Sequence, residues 1–118
     1  MANPNFINIT SILGKSALVN LTTSPVTVIT NAASSNQLFK INSVLAINRG
    51  TAPADVTLTM SKNGTSYTIA NAISVPTKTN LILLNKDLQL YLEENDFLQG
   101  TSSVASTLVL IVSYEIVA

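Results

Sequence analysis

The sequence of 118 residues contains neither cysteine nor histidine. It therefore lacks the usual ligands of zinc and haem sites, the thiol nucleophile, and the imidazole base of the common catalytic triads. The absence of cysteine leaves the redox compartment open, because reducing and oxidising compartments both admit such a chain. We expect no catalytic residue, no metal and no cofactor, and we predict that the protein is not an enzyme.

Charge is also scarce. Six Lys and Arg residues balance six Asp and Glu residues, and charged residues make up 10% of the chain, against roughly 25% in an ordinary soluble domain. A neutral surface gives no counterion release on nucleic acid, so we expect no nucleic-acid partner. Net charge near zero promotes association, which favours a surface covered by other copies. The alternative is a monomer whose polar surface consists of Ser, Thr and Asn.

Long apolar runs are missing as well. The chain has no stretch of 18 apolar residues, so no membrane-spanning helix and no membrane partner are expected. Its first residues, Met-Ala-Asn-Pro-Asn-Phe, lack the basic region and apolar stretch of a signal peptide, which predicts synthesis in a cytoplasm. The length is that of one domain with a single core.

The hydrophobic pattern alternates with a period of two between frequent turn residues, and no segment shows a helical period. Asn63-Gly64 is a strong hairpin signal because both residues accept positive φ. The pattern predicts an all-β fold, a single antiparallel β-sandwich of about eight strands, Ig-like or jelly-roll. The strand candidates are residues 16–22, 25–31, 38–48, 55–61, 65–71, 81–84, 86–92, 97–98 and 107–118.

Three candidates carry predictions about which face is buried. Residues 81–84 are uniformly apolar, which indicates burial on both faces. Residues 108–112 are also apolar on both faces, so this strand is central or its outer face meets another chain. For the strand 38–48, alternation predicts that one set faces the core. That set is Phe39, Ile41, Ser43, Leu45 and Ile47.

Residues 1–13 show no firm period although they are rich in large apolar side chains. We interpret them as an extended N-terminal arm that precedes a sandwich domain of residues 14–118. Apolar side chains on such an arm need a surface to rest on, because terminal segments fray unless they are tied down. The arm is the predicted assembly interface. Its candidate residues are Phe6, Ile7, Ile9, Ile12 and Leu13.

Acidic residues cluster at Glu93, Glu94 and Asp96, with Asp87 nearby. Paired carboxylates can hydrolyse glycosides or bind calcium. Consecutive positions do not converge on one point, however, and the alternate ligand spacing of a calcium loop is missing. We therefore predict a solvated turn.

The segment Gly14-Lys15-Ser16 resembles the end of a phosphate-binding loop. The first glycine of such a loop would fall at position 9, which is Ile9, so the motif is incomplete. Aromatic side chains offer another chemistry. Tyr67, Tyr91 and Tyr114 could stack on a ligand, which keeps a carbohydrate-binding or receptor-binding module as an alternative. Packing across strands explains each tyrosine equally well.

From Ile41 onward the order of segments resembles that of small β-sandwich virion proteins of tailed bacteriophages, especially phages of marine cyanobacteria. The family pattern has Gly before the aspartate of the late turn, whereas Asn95 stands here and also tolerates left-handed geometry. The matching segments, about two thirds of the chain, are residues 41–48, 56–60, the hairpin, 67–70, 75–76, 81–84, 88–92, 96–98 and 108–116.

This resemblance implies a virion structural protein made in the cytoplasm of a bacterial host. A capsid decoration or cement protein, which stabilises the head through protein–protein contacts, fits best. A neck, tail or fibre adaptor is the alternative. The implied partners are the chain itself, as a trimer, and the major capsid protein or another virion protein.

Overall fold

The computed structural model describes residues 11–84, 90–105 and 107–118. These residues form nine strands in two antiparallel sheets, which confirms the predicted β-sandwich. The strands are β1 (Ile12–Asn20), β2 (Val26–Thr30), β3 (Leu38–Asn48), β4 (Ala54–Lys62), β5 (Thr65–Val75), β6 (Asn80–Leu84), β7 (Leu90–Leu92), β8 (Phe97–Ser102) and β9 (Leu108–Val117).

The topology is that of one long hairpin rolled into a sandwich. Moving outward from the β4–β5 turn, β4 pairs with β5, β3 with β6 and β7, β2 with β8, and β1 with β9. Rolling then adds the pairs β3·β9 and β4·β8. The sheet orders are β1-β9-β3-β6, with β7 also beside β3, and β2-β8-β4-β5. This arrangement is a jelly roll rather than an Ig-like sandwich.

The turn at the head of this hairpin has the predicted sequence and geometry. Asn63 and Gly64 have φ values of 51° and 83°, between the paired residues Lys62 and Thr65. Positive φ at both central positions is the type I′ pattern, whose twist matches that of the flanking strands. Asn-Gly suits this turn because both residues adopt positive φ at little steric cost.

β9 is a central strand, since it pairs with β1 on one side and β3 on the other. Leu108, Leu110 and Val112 point into the core and are buried, whereas Val109 and Ile111 are half-buried on the outer face. The two sheets approach closely at Gly100 of β8, where a Cβ atom would lie 2.8 Å from Leu110 Cδ1. The apolar character of both faces of β9 therefore reflects a central position.

The face predicted for β3 is half wrong, because the strand contains a β-bulge. Phe39 and Ile41 face the core as expected. The register against β9 then shifts between Ile41 and Ser43, and a shift of one residue moves every following side chain to the other face. The buried residues beyond the bulge are Val44 and Ala46. Those moved to the outer face are Ser43, Leu45 and Ile47.

The prediction that residues 81–84 are buried on both faces is also wrong. β6 is an edge strand, and it too has a register shift against β3, between the pairs that involve Leu84 and Ile82. Leu84 is buried on the inner side, but Ile82 opposes Leu45 on the outer face and is exposed. Residues 81–84 are uniformly apolar because the outer face of β6 is apolar as well as its inner face.

The bulge in β3 can be tested with two neighbouring substitutions. Val44→Ser replaces a fully buried side chain and should lower the free energy of unfolding by about 2–4 kcal/mol, because it leaves a void and buries a hydroxyl. Leu45→Ser changes a half-buried outer position and should cost about 1 kcal/mol or less. Urea denaturation measures both. A larger loss for Leu45→Ser would contradict the bulged register.

Candidate interaction surfaces

The outer face of the five-stranded sheet carries a row of aliphatic side chains that runs across the strands. Leu18 of β1 opposes Ile111 of β9, which opposes Leu45 of β3, which opposes Ile82 of β6. We call these four residues the aliphatic row. Its two ends are the most exposed, with Leu18 at 67% and Ile82 at 62%. Apolar groups in contact across strands form one continuous surface.

The rows on either side of the aliphatic row differ in chemistry. On one side Asn20, Val109, Ile47 and Asn80 lie in register, which adds two half-buried aliphatic groups flanked by amides. On the other side Ser16, Ser113 and Ser43 form a hydroxyl row. The apolar surface is therefore a band bordered by neutral polar groups, a pattern found at interaction sites.

Beyond the hydroxyl row the same face becomes charged and then apolar again. Lys40 and Glu115 oppose each other there and form an ion pair of 3.8 Å. The last row contains Ile12, Val117 and Leu38. Val117 and Leu38 are buried although they belong to the outer side, and Ile12 is exposed.

Two of the predicted interface residues lie within β1. Ile12 and Leu13 pair with Val117 and Ile116, so they belong to a strand of the sheet, and both are exposed. The others, Phe6, Ile7 and Ile9, lie outside the described residues. A role for these five residues in assembly stays a prediction.

Sequence reasoning missed Leu18 and Ile82 as surface residues. The alternation of β1 contained the signal for Leu18, since Ala17 and Val19 on either side of it pack against the core. Ile82 could not be assigned from its apolar run, because the shift that turns it outward depends on pairing with β3. The register of β6 is therefore a tertiary property.

The prediction of a solvated turn is wrong for Glu94 and Asp96, which are buried. The Glu93 side chain is 47% exposed, and Asp87 lies outside the described residues. Asp96 is fully buried and accepts hydrogen bonds from Lys62 Nζ at 3.1 Å and from the Glu93 amide at 3.0 Å. Asn95 has a φ of 75°, so the asparagine does adopt the left-handed geometry that the turn requires. A buried carboxylate needs such partners, because an unpaired charge in the interior is costly.

Asn31 joins this turn to the loop between β2 and β3. Its amide nitrogen donates to the carbonyl oxygens of Gln37 and Leu92, both at 2.9 Å, and its backbone N–H donates to Asp96 O. Glu94 is also buried, and its Oε2 accepts the amide of Asn36 at 2.7 Å. We call Asn31, Lys62, Glu93, Glu94 and Asp96 the polar cluster.

Lys62 supplies the positive charge of the polar cluster. Its Nζ lies 2.9 Å from Glu93 Oε1 and 3.1 Å from Asp96 Oδ2. The pKa of Lys62 is raised from its ordinary value of 10.5, first by the hydrogen bond to Glu93 and also by Asp96, while desolvation opposes the rise. Glu93, Glu94 and Asp96, which resembled part of a catalytic or calcium-binding group, thus make structural contacts.

The described residues do not assemble a metal site or a tyrosine platform. No group of three or more His, Cys, Asp or Glu side chains within them could hold a metal ion. Tyr91 lies on the outer face of one sheet, and Tyr114 lies on the inner face and stacks on Phe39 with ring centroids 5.6 Å apart. Tyr67 belongs to β5 at the edge of the other sheet.

The fold of this chain is similar to that of a solved phage protein. Neither a family model nor a curated protein matches the chain. A solved structure described as a pentameric capsid protein isolated from metagenomic phage sequences is 16% identical, with a TM-score of 0.40. The alignment covers 94% of this chain and 61% of that protein.

Among the described residues, none belongs to a helix long and apolar enough to cross a membrane.

The structural role of Asp96 predicts a clear contrast with Glu93. Both contact Lys62, but Asp96 is fully buried whereas the Glu93 side chain is 47% exposed. Asp96→Ala should lower the free energy of unfolding by about 2–4 kcal/mol, because buried donors lose their acceptor. Glu93→Ala should cost about 1 kcal/mol or less, as exposed ion pairs do. Equal losses in guanidinium denaturation would contradict this assignment.

The raised pKa of Lys62 predicts an alkaline dependence of stability. The stabilisation is fully present below the unfolded pKa, near 10.5, and is lost as pH rises through the higher folded pKa. The difference in unfolding free energy between wild type and Lys62→Met should therefore be constant from about pH 8 and shrink toward about pH 12.

Lys78→Met serves as the control, because Lys78 is exposed and forms none of the ion pairs found among the described residues. Its difference from wild type should show no comparable loss. A Lys62→Met difference that grows with alkaline pH would show that the sign of the linkage is wrong.

Proposed function

We propose that the protein is a non-enzymatic virion structural protein of a tailed bacteriophage, and that it decorates and cements the capsid. The observation that carries this proposal is the apolar band on the five-stranded sheet. The chain has no net charge and leaves Leu18 and Ile82 exposed at the ends of the aliphatic row. Exposed apolar surface of this kind is typical of sites that bind other proteins. The resemblance of residues 41–116 to phage virion proteins supports the same role.

The balance of charge sets the kind of contact. With as many basic as acidic residues in the chain, association gains little from electrostatic steering. Apolar burial and main-chain hydrogen bonds are then the main sources of affinity, and both depend on shape. These are the contacts by which a small domain can reinforce the seams of a protein shell.

The proposed partners are other copies of the chain, as a trimer, and the major capsid protein. Residues 1–13, with Phe6, Ile7, Ile9, Ile12 and Leu13, are the proposed segment of assembly. The location is the virion, after synthesis in the host cytoplasm. A trimer accords with the resemblance, and the near-zero net charge is compatible with close packing of identical subunits.

The two alternative functions differ in the surface that each requires. A neck, tail or fibre adaptor would also depend on the apolar band and the arm. A carbohydrate-binding or receptor-binding module requires aromatic groups that converge on one site. The placement of Tyr67, Tyr91 and Tyr114 on different faces and strands gives no support to that module, although jelly rolls also serve lectins.

The proposed function predicts where the protein is found. In purified virions that carry this gene, peptide mass spectrometry should detect the chain, and cryo-electron microscopy should place it on the outside of the head. Removing it should lower the temperature at which heads release DNA. Leu18→Asp with Ile82→Asp should weaken binding of the purified protein to stripped heads at least about tenfold, because charges would have to be buried.

Two outcomes would contradict the proposal. Absence of the chain from purified virions would remove the structural role altogether. Its presence only at the neck, tail or fibre would favour the adaptor alternative. The control is Thr23→Asp, at an exposed position outside the apolar band, which should bind stripped heads as wild type does.

A further inference from the structure

Five of the described strands lie at the edges of the two sheets, and four of these carry features that discourage further pairing. One of the four is β7, which is only three residues long. β2 has five residues, follows Pro25 and contains a register shift, and β6 is also five residues long with a shift. β5 has two shifts, and Ala72 within it has a φ of 50°. Short length, proline and bulges are the means by which proteins protect sheet edges.

β1 lacks these protections. It runs for nine residues against β9 with an unbroken register, and it contains no proline. Its single charged residue is Lys15. No other strand of the described residues pairs with it. A long, regular and charge-poor edge is a template for another strand.

The backbone groups that face the free edge can be identified. Ser11 and Ala118 exchange both backbone hydrogen bonds, each at 3.0 Å, and the Leu21 amide donates to Leu108 O. Since bonded and non-bonded pairs alternate in an antiparallel ladder, odd-numbered residues of β1 bond to β9. The even-numbered residues direct N–H and C=O outward. They are Ile12, Gly14, Ser16, Leu18 and Asn20.

Exposed apolar side chains lie on both sides of the sheet at this edge. Leu18 is the open end of the aliphatic row on the outer side, and Leu13 is exposed on the inner side. An added strand would cover both if it carried apolar groups on each of its faces. As an extended strand, the sequence Phe6-Ile7-Asn8-Ile9 would place Phe6 on one face and Ile7 and Ile9 on the other.

The segment cannot readily add to its own β1. Ser11 is still paired with Ala118, so a tight reversal would have to be centred on Ile9 and Thr10. Both are β-branched, and the hairpin turns require positive φ, which such residues avoid. Phe6, five residues before Ser11, can instead extend about 17 Å from the body, far enough to lie along a neighbouring subunit.

We infer that the free edge of β1 binds residues 6–9 of a second copy of this chain as an added strand of the five-stranded sheet. The inference rests on the proposed function, because it names the contact by which copies associate. One copy gives its segment and another receives it. The contact is head-to-tail and closes into a ring when the rotation allows.

The first test compares two substitutions at one position on purified full-length protein. Ser16→Pro removes an outward N–H and adds a ring at the edge, yet it breaks no bond to β9. In sedimentation equilibrium it should raise the dissociation constant of self-association at least about tenfold. Ser16→Ala keeps the N–H and should associate as wild type does. A wild type that stays monomeric overturns the inference, as does Ser16→Pro with unchanged association.

A second pair of variants guards against failure of Ser16→Pro to fold. Leu18→Glu places a charge at the receiving edge, and Ile82→Glu places one at the opposite end of the same aliphatic row. Leu18→Glu should weaken association at least about tenfold, and Ile82→Glu should leave it unchanged. Equal losses would assign the contact to the face of the sheet. They would overturn the inference that the edge of β1 is the binding site.

Mixing identifies the occupant of the edge. Ser16→Pro keeps its segment but cannot receive, whereas Ile7→Asp with Ile9→Asp keeps its edge but gives a charged segment. Each variant alone should be monomeric, and an equimolar mixture should form a complex of two chains. Association of the Ile7→Asp and Ile9→Asp variant by itself would indicate that β1 pairs with β1, which overturns the inference.

These measurements use the purified protein alone and do not require a capsid. Loss of particle binding with intact segment exchange would therefore reject the decoration role and leave the inference standing. A wild type that binds particles but stays monomeric in solution would do the reverse.

Discussion

The pairing of β3 with β9 is the contact on which the remainder of the fold depends. Without this pair, the inner faces of the strands have no second sheet to cover them. Once β9 lies against β3, the residues Val44, Ala46, Leu110 and Val112 enter one core. β1 then has a partner, and the outer face acquires its rows. The bulge at Asn42 sets which residues enter the core and which remain outside.

Some of the few charged residues of this chain stabilise contacts between its loops. Lys62 and Asp96 connect the β4–β5 hairpin to the turn before β8, and Asn31 connects that turn to the start of β3. At the other end of β3, Asn48 is buried and donates to Ala52 O and Val75 O. Buried groups that are hydrogen-bonded in this way fix loop geometry.

Much of the fold followed from sequence pattern. Alternation and Asn63-Gly64 predicted the sandwich and the β4–β5 hairpin, because these features are local. The inward set of β3 and the exposure of Ile82 were not predictable, since bulges depend on which strand lies alongside. The burial of Asp96 was missed because its partners Lys62 and Asn63 are distant in sequence.

The nested pairing also has a consequence for the order of events in folding. The β4–β5 contact closes a two-residue loop, whereas β1 and β9 join segments from opposite ends of the described chain, the largest loop in the structure. Loop closure costs more as separation grows, so we expect β1 to dock last. The receptive edge would thus come into being only after the core has closed. A protein built to associate would then expose its adhesive strand to its neighbours only as a folded molecule, which separates assembly from aggregation during synthesis.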